Sequence, residues 1–164
     1  MTTSDELYRE HIGRARRLAY LLTGSVGDAD DIVHEAFLRC AGRLGALRSP
    51  DRFGAYLRQA IVREVLDTRR SAARRSAREE RSDGSRLRTA AHDGGQVDVA
   101  ARVDVVAALR ELPEQQRVAV VLRYWAGCTD AEIARILRCP VGTVKSRLSR
   151  ARAALRQQLR DYAR

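Results

Sequence analysis

The chain has 164 residues, enough for one domain or two small ones, and carries 31 basic against 21 acidic residues, a net charge of +10. No run approaches the roughly 20 apolar residues of a membrane span, and Cys40, Cys128 and Cys139 have neither metal-ligand spacing nor an even count. Membrane-spanning, zinc-bound and disulfide-stapled classes are therefore excluded, and a polyanionic partner is favoured, nucleic acid first and an anionic membrane surface second.

All but one of the cations are arginines, Lys145 being the exception. Arginine offers phosphate and guanine a planar fork that lysine lacks; codon usage in a GC-rich genome explains the bias equally well. The N-terminal stretch MTTSDELYREH holds no apolar signal segment, so a cytoplasmic protein with reduced thiols is expected.

The first helix is marked by Leu7, His11, Ala15, Leu18 and Leu22, at helical steps, and ends at Thr23-Gly24-Ser25. A second is expected to start near Asp28, where Asp28 and Asp31 suit a helix N-terminus, with Ile32, Ala36, Phe37 and Cys40 as its apolar face. Asp31, His34 and Glu35 share an exposed edge of that helix. An acidic edge on a basic protein is either a solvated face or a dock for a basic protein partner. Paired carboxylates also serve acid–base catalysis, but no nucleophile, glycine-rich phosphate loop or metal triad accompanies these, so neither an enzyme nor a cofactor is expected.

Ser49-Pro50 is a start signal for a third helix, whose period is carried by Phe53, Leu57, Ala60, Ile61, Glu64 and Val65. Arg58, Gln59 and Arg63 fall on its outer side, with Arg52 a turn earlier and Arg43 and Arg48 in the preceding loop, a set able to follow a phosphate backbone. From about Ser76 to Gln96 the chain has almost no large apolar residue, which reads as a flexible basic linker, with Arg69 to Arg75 extending the helix before it.

After the linker, Val103, Val106, Leu109 and Leu112 line a short helix, and Leu112-Pro113-Glu114 restarts the chain. Val118, Val121, Leu122 and Trp125 form the next stripe, stopped by Gly127. Thr129 to Glu132 is a capping box, followed by Ile133, Ile136 and Leu137 and a turn at Arg138-Cys139-Pro140. In the last helix Val144, Leu148, Ala151, Leu155 and Leu159 share one face, while Gly142, Ser146, Ser149, Arg150 and Ala153 lie opposite, flanked by Thr143, Lys145 and Arg147. A small, polar outer face ringed by cations lets a helix sit deep in the major groove, about 12 Å wide. A capped helix, a short turn and this helix make a helix-turn-helix. No strand signal interrupts the pattern. The expectation is an all-α chain of two small helical domains, residues 1–75 and 101–164, joined by a linker over 76–100, each with a core that is marginal alone.

DADDIVHEAFLR, AYLRQAIVREVLDTRR, LPEQQRVAVVLRYWAG and TDAEIARILRCPVGTVKSRLSRARAAL together resemble a bacterial RNA polymerase sigma factor of the small extracytoplasmic-function group, which keeps conserved regions 2 and 4. The resemblance covers about 5–70 and 103–160. It implies a transcription initiation factor with core RNA polymerase and promoter DNA as partners. Asp31, His34 and Glu35 would then bind the clamp helices of the largest polymerase subunit. Leu47, Arg48, Arg58, Gln59, Val62 and Arg63 would melt and read the −10 element. Thr143, Lys145, Ser146, Arg147, Ser149 and Arg150 would read the −35 element in the major groove. Many members of the group are held inactive by an anti-sigma factor, so such a protein is a further candidate partner. The chain departs from the family pattern at His34 (usually Gln), Tyr56 (usually Trp) and Arg63 (usually Asn). The rival reading is a stand-alone helix-turn-helix regulator acting as a dimer on a palindromic site.

Overall fold

Leu7, Ala15, Leu18, Ala19 and Leu22 put one continuous apolar stripe on α1 (Ser4–Thr23), and all five are buried. The structure is a computed structural model that describes residues 4–42, 52–82 and 99–162, and the described residues are almost wholly helical. Helix α1 stops where Gly24 takes a left-handed φ of 71°, a conformation glycine adopts without a Cβ penalty. Helix α2 (Val26–Ala41) begins two residues before the expected start. Its cap is Ser25, in extended conformation, whose hydroxyl accepts from the backbone N–H of Asp28 at 3.3 Å. Asp28 thus sits in the first turn, where its charge still complements the helix dipole.

Helix α3 (Phe53–Ser82) buries Phe53, Leu57, Ile61 and Val65, joined by Val62 and Leu66. The expected start signal Ser49-Pro50 lies outside the described residues. Phe53 is the hub of the N-terminal core: Phe37 meets it edge-on at 5.6 Å and His11 lies tilted over it at 5.4 Å. The far end of α3 corrects the expected linker, because the helix runs to Ser82 and not only to about Arg75. An established helix propagates through Arg, Ala, Ser and Glu at little cost, and the first glycine is Gly84. The rest of the expected linker, up to residue 98, lies outside the described residues.

Helix α4 (Val99–Glu111) presents Val106 and Leu109, and α5 (Glu114–Val120) follows Pro113. A π-helical turn, Val121–Trp125, continues α5: the N–H of Ala126 reaches the carbonyl of Val121, five residues back, at 3.1 Å. The widened turn overturns one expected core position. It rotates the residues after it relative to α-helical register, and Trp125 is 46% exposed beside Tyr124 at 61%. Helix α6 (Asp130–Leu137) carries the expected capping box in full: Thr129 Oγ1 accepts from the N–H of Glu132, and Glu132 Oε2 accepts from the N–H of Thr129 at 2.8 Å. Arg138, at φ 51°, turns the chain into α7 (Val141–Tyr162).

Helices α1, α2 and α3 pack on one another, while α7 packs on both α5 and α6. The halves also meet, α1 against α4 and the π-helical turn, and α3 against α6, so the buried apolar side chains form one cluster running from Leu7 to Ala151. Separate marginal cores were expected; apolar surface that neither small bundle covers alone is buried at the joint.

Candidate nucleic-acid interface

The helix-turn-helix is built as its period dictates. Val144, Leu148 and Ala151 of α7 are buried, while Gly142, Lys145, Ser146, Ser149 and Arg150 are exposed, and Thr143 and Arg147 are half-buried at the seam. Ser146 turns its hydroxyl back to donate to the carbonyl of Thr143 at 2.9 Å, which keeps the outer face low. Arg147 donates to the sulfur of Cys139 at 3.4 Å, steadying its guanidinium beside the turn. The first turn of α7 contains no acidic side chain, so its positive dipole end is not neutralised within the helix. Arg135 and Arg138 add exposed cations at the same turn. They went unremarked in the sequence, although their spacing on α6 and its C-cap carried the signal.

The capping box has an electrostatic consequence. The backbone N–H of Thr129, then its hydroxyl, hold the Glu132 carboxyl below the ordinary glutamate value. Behind it, burial pushes the Cys128 thiol up, away from the reactive thiolate.

On α3 the expected set divides. Gln59 and Arg63 are half-buried, with Tyr56 exposed on the same side. Arg58 is turned toward the other half and donates to the carbonyl of Ala126 at 3.4 Å. Val62 corrects the expected set: it is 0% exposed, because it adjoins Ile61 on the apolar side, and no base can touch it in this arrangement. Leu47 and Arg48 lie outside the described residues.

On α2, Asp31, His34 and Glu35 are all exposed on one edge. Leu38, one turn beyond His34, extends that edge with a side chain 53% exposed, a feature the charge pattern did not single out. Glu35 pairs with Arg39 at 3.5 Å, and Arg39 also reaches Glu64 of α3 at 2.9 Å.

Sequence reading missed Arg117 altogether. It is buried, donating to the carbonyl of Leu22 at 3.0 Å and to that of Leu112 at 3.3 Å. Burial, then the neighbouring Arg69, lower its pKa from the ordinary arginine value, while Glu114 opposes them and Arg110 adds to them. Among the described residues no cluster of three His, Cys, Asp or Glu side chains is placed to hold a metal ion, and no helix is long and apolar enough to cross a membrane.

A three-helix unit with an acidic edge, followed by a helix-turn-helix with a cationic outer face, is the architecture that comparison with known proteins identifies. Residues 7–75 match the family described as Sigma-70 region 2, and residues 102–155 match Sigma-70, region 4. The ECF RNA polymerase sigma factor SigM of Mycobacterium tuberculosis is 37% identical over 156 residues, covering 94% of this chain and 76% of the relative. SigE of Mycolicibacterium smegmatis is 35% identical over 99% of this chain, which spans 62% of that relative's length. Among solved structures, the sigma factor RpoE of Bartonella quintana, in complex with the anti-sigma factor NepR, superposes with a TM-score of 0.77 at 25% identity, covering 93% of this chain and 94% of that one. The chain belongs to the sigma-70 family of RNA polymerase sigma factors, in its extracytoplasmic-function group.

Proposed function

We propose that the protein binds core RNA polymerase in the cytoplasm and directs it to specific promoters. The α2 edge of Asp31, His34 and Glu35, extended by Leu38, docks on the polymerase clamp helices. Helix α7 enters the major groove of the −35 element through Thr143, Lys145, Ser146, Arg147, Ser149 and Arg150. Arg58, Gln59 and Arg63 on α3, with Leu47 and Arg48 before it, open and read the −10 element. The observation that carries the reading is the outer face of α7: small, polar and cation-ringed over a buried Val144–Leu148–Ala151 seam, within a chain of the sigma-70 family.

The mechanism is binding and not bond chemistry. Flipping a base out of the stack costs about a few kcal/mol, which polymerase contacts and two tethered DNA contacts together offset. Arg58, held by Ala126, is released for DNA only when the two halves separate. An anti-sigma factor, as in the RpoE–NepR complex, is a candidate partner for the arrangement with both halves joined.

The test is gel filtration and run-off transcription with sigma-free core polymerase, with Glu35→Arg as control. Co-elution and new promoter-specific transcripts, both lost in the variant, support the reading. No complex, with specific DNA binding by the chain alone, would instead make it an independent regulator.

A further inference from the structure

Acyl-transfer chemistry separates two cationic side chains that electrostatics treats alike. A guanidinium stays protonated and is a poor nucleophile, whereas an amine that has shed a proton attacks carbonyl carbon. Of the 31 basic side chains, all but Lys145 are arginines, so the chain carries a single side-chain amine. That amine is exposed early in α7, on the face proposed to enter the −35 major groove.

Lys145 also borders a recess of about 310 Å³ lined by Arg123, Tyr124, Asp130, Lys145, Leu148 and Arg152. Lys145, Leu148 and Arg152 follow at steps of three and four and form its α7 side. Leu148 is buried, while Lys145 and Arg152 are exposed. The rest of the lining comes from the π-helical turn and the start of α6. There Arg123 Nη1 donates to the carbonyl of Cys128 at 3.1 Å and lies 3.7 Å from Asp130, which fixes its guanidinium at the recess. Asp130 is the one carboxylate of the lining, and Arg123 engages it. Three cations against one engaged carboxylate, with the exposed Tyr124 beside them, favour a small anion.

Resting on the function proposed above, we infer that Lys145 is a site of covalent acylation by a small acyl phosphate, held in this recess by its phosphate, and that the transfer weakens −35 recognition. Arg123 and Arg152 bind the phosphate oxygens, for which guanidinium groups are suited. The acyl carbon is thereby kept within reach of the amine, which replaces a chance encounter by a nearly unimolecular step. The Lys145 ammonium first releases a proton to solvent. Its lone pair then forms the N–C bond of an amide. The acyl C–O bond to phosphate breaks, and inorganic phosphate leaves with that electron pair and the second proton from nitrogen. Nothing is oxidised or reduced, and no further reactant is consumed. The product has lost the positive charge and two of the three N–H donors of the ammonium. Because no other side chain of the chain is an amine, amine-directed acylation alters the reading face of α7 and spares every arginine contact.

The experiment has a chemical arm and a promoter arm. In the first, the full chain is incubated with acetyl phosphate or with the uncharged donor acetyl N-hydroxysuccinimide ester. Hydroxylamine then strips acyl groups from oxygen and sulfur, and mass spectrometry gives the rate of acetylation at Lys145. Acetyl phosphate should label the parent, and label Arg152→Gln about tenfold more slowly, while the uncharged ester labels both alike. No labelling of the parent by acetyl phosphate overturns the inference. So does Arg152→Gln slowing both donors equally, which would report access to the amine and not phosphate binding. In the second arm the treated chain, freed of donor, is combined with core polymerase on a promoter recovered from its own transcripts. The acetylated parent should bind more weakly than the untreated one, its log–log salt slope flattened by about 0.9 between about 50 and 200 mM salt. Lys145→Arg, which keeps the charge without an amine, should bind equally before and after treatment. Undiminished binding by the acetylated parent, or an equal loss in treated Lys145→Arg, overturns the inference. If the untreated parent forms no promoter-specific holoenzyme, the proposed function has failed and the −35 consequence with it, while the labelling rates still decide the acylation at Lys145.

Discussion

The guanidinium of Arg117 lies 3.0 Å from the carbonyl oxygen of Leu22, across 95 residues of sequence. Leu22 O is one of the last carbonyls of α1, where a helix leaves its acceptors without intrahelical donors. The second branch of the same side chain reaches Leu112 O, just beyond α4. One cation thus caps two helix C-termini, where positive charge is favoured, and ties the N-terminal half to the C-terminal half. Replacing it by methionine leaves two buried carbonyls without a donor. Arg117→Met should lower stability by about 2–4 kcal/mol, read as a lower urea midpoint; an unchanged midpoint would remove Arg117 from the account of the joint.

Val62 separates packing from promoter reading. Its side chain is fully buried, and deleting two methyl groups there should cost about 2 kcal/mol of stability. Val62→Ala should therefore melt earlier yet select the same promoters at saturating concentration. A changed −10 preference at normal stability would restore Val62 to the DNA-facing set.

The Thr129–Glu132 box predicts a pH dependence. Hydrogen bonds from Thr129 depress the Glu132 pKa in the folded chain. A depressed carboxyl contributes stability above the unfolded value and loses it as pH falls through the folded value. The deficit of Glu132→Gln should be full at pH 7 and shrink only below pH ~4.3, the ordinary glutamate value. Thermal melts from pH 7 to pH 3 check this; a deficit constant across that range would deny the carboxylate its capping role.

Thiol reactivity should be graded by burial. Cys40 and Cys128 are buried and Cys139 is half-exposed, while burial raises the Cys128 pKa and reduces its thiolate fraction. A maleimide reagent on the native protein should modify Cys139 first, with Cys128 following only on unfolding. Mass spectrometry of partially labelled protein reads the order directly.

What could be read from sequence was local. The capping box and the Val144–Leu148–Ala151 seam depend on residues three and four apart, and the structure has both as expected. Arg117 was not legible because its partners are chosen by how the two halves meet, which no periodicity encodes. Trp125 was misplaced because a π-helical turn shifts register without announcing itself in residue type. The family likeness suggested Val62 for DNA, while its place beside Ile61 puts it in the core. The helix was expected to fade near Arg75, since composition argued against packing; a helix can persist without packing once nucleated, as α3 does to Ser82.

The π-helical turn has one more consequence. It brings Trp125, the only tryptophan of the chain, to the surface immediately before Ala126, whose carbonyl holds Arg58 of the other half. The indole is thus a single tryptophan fluorophore beside the seam between the two halves. Its emission maximum and quenching by iodide follow, without any attached dye, whether that seam is shut or open.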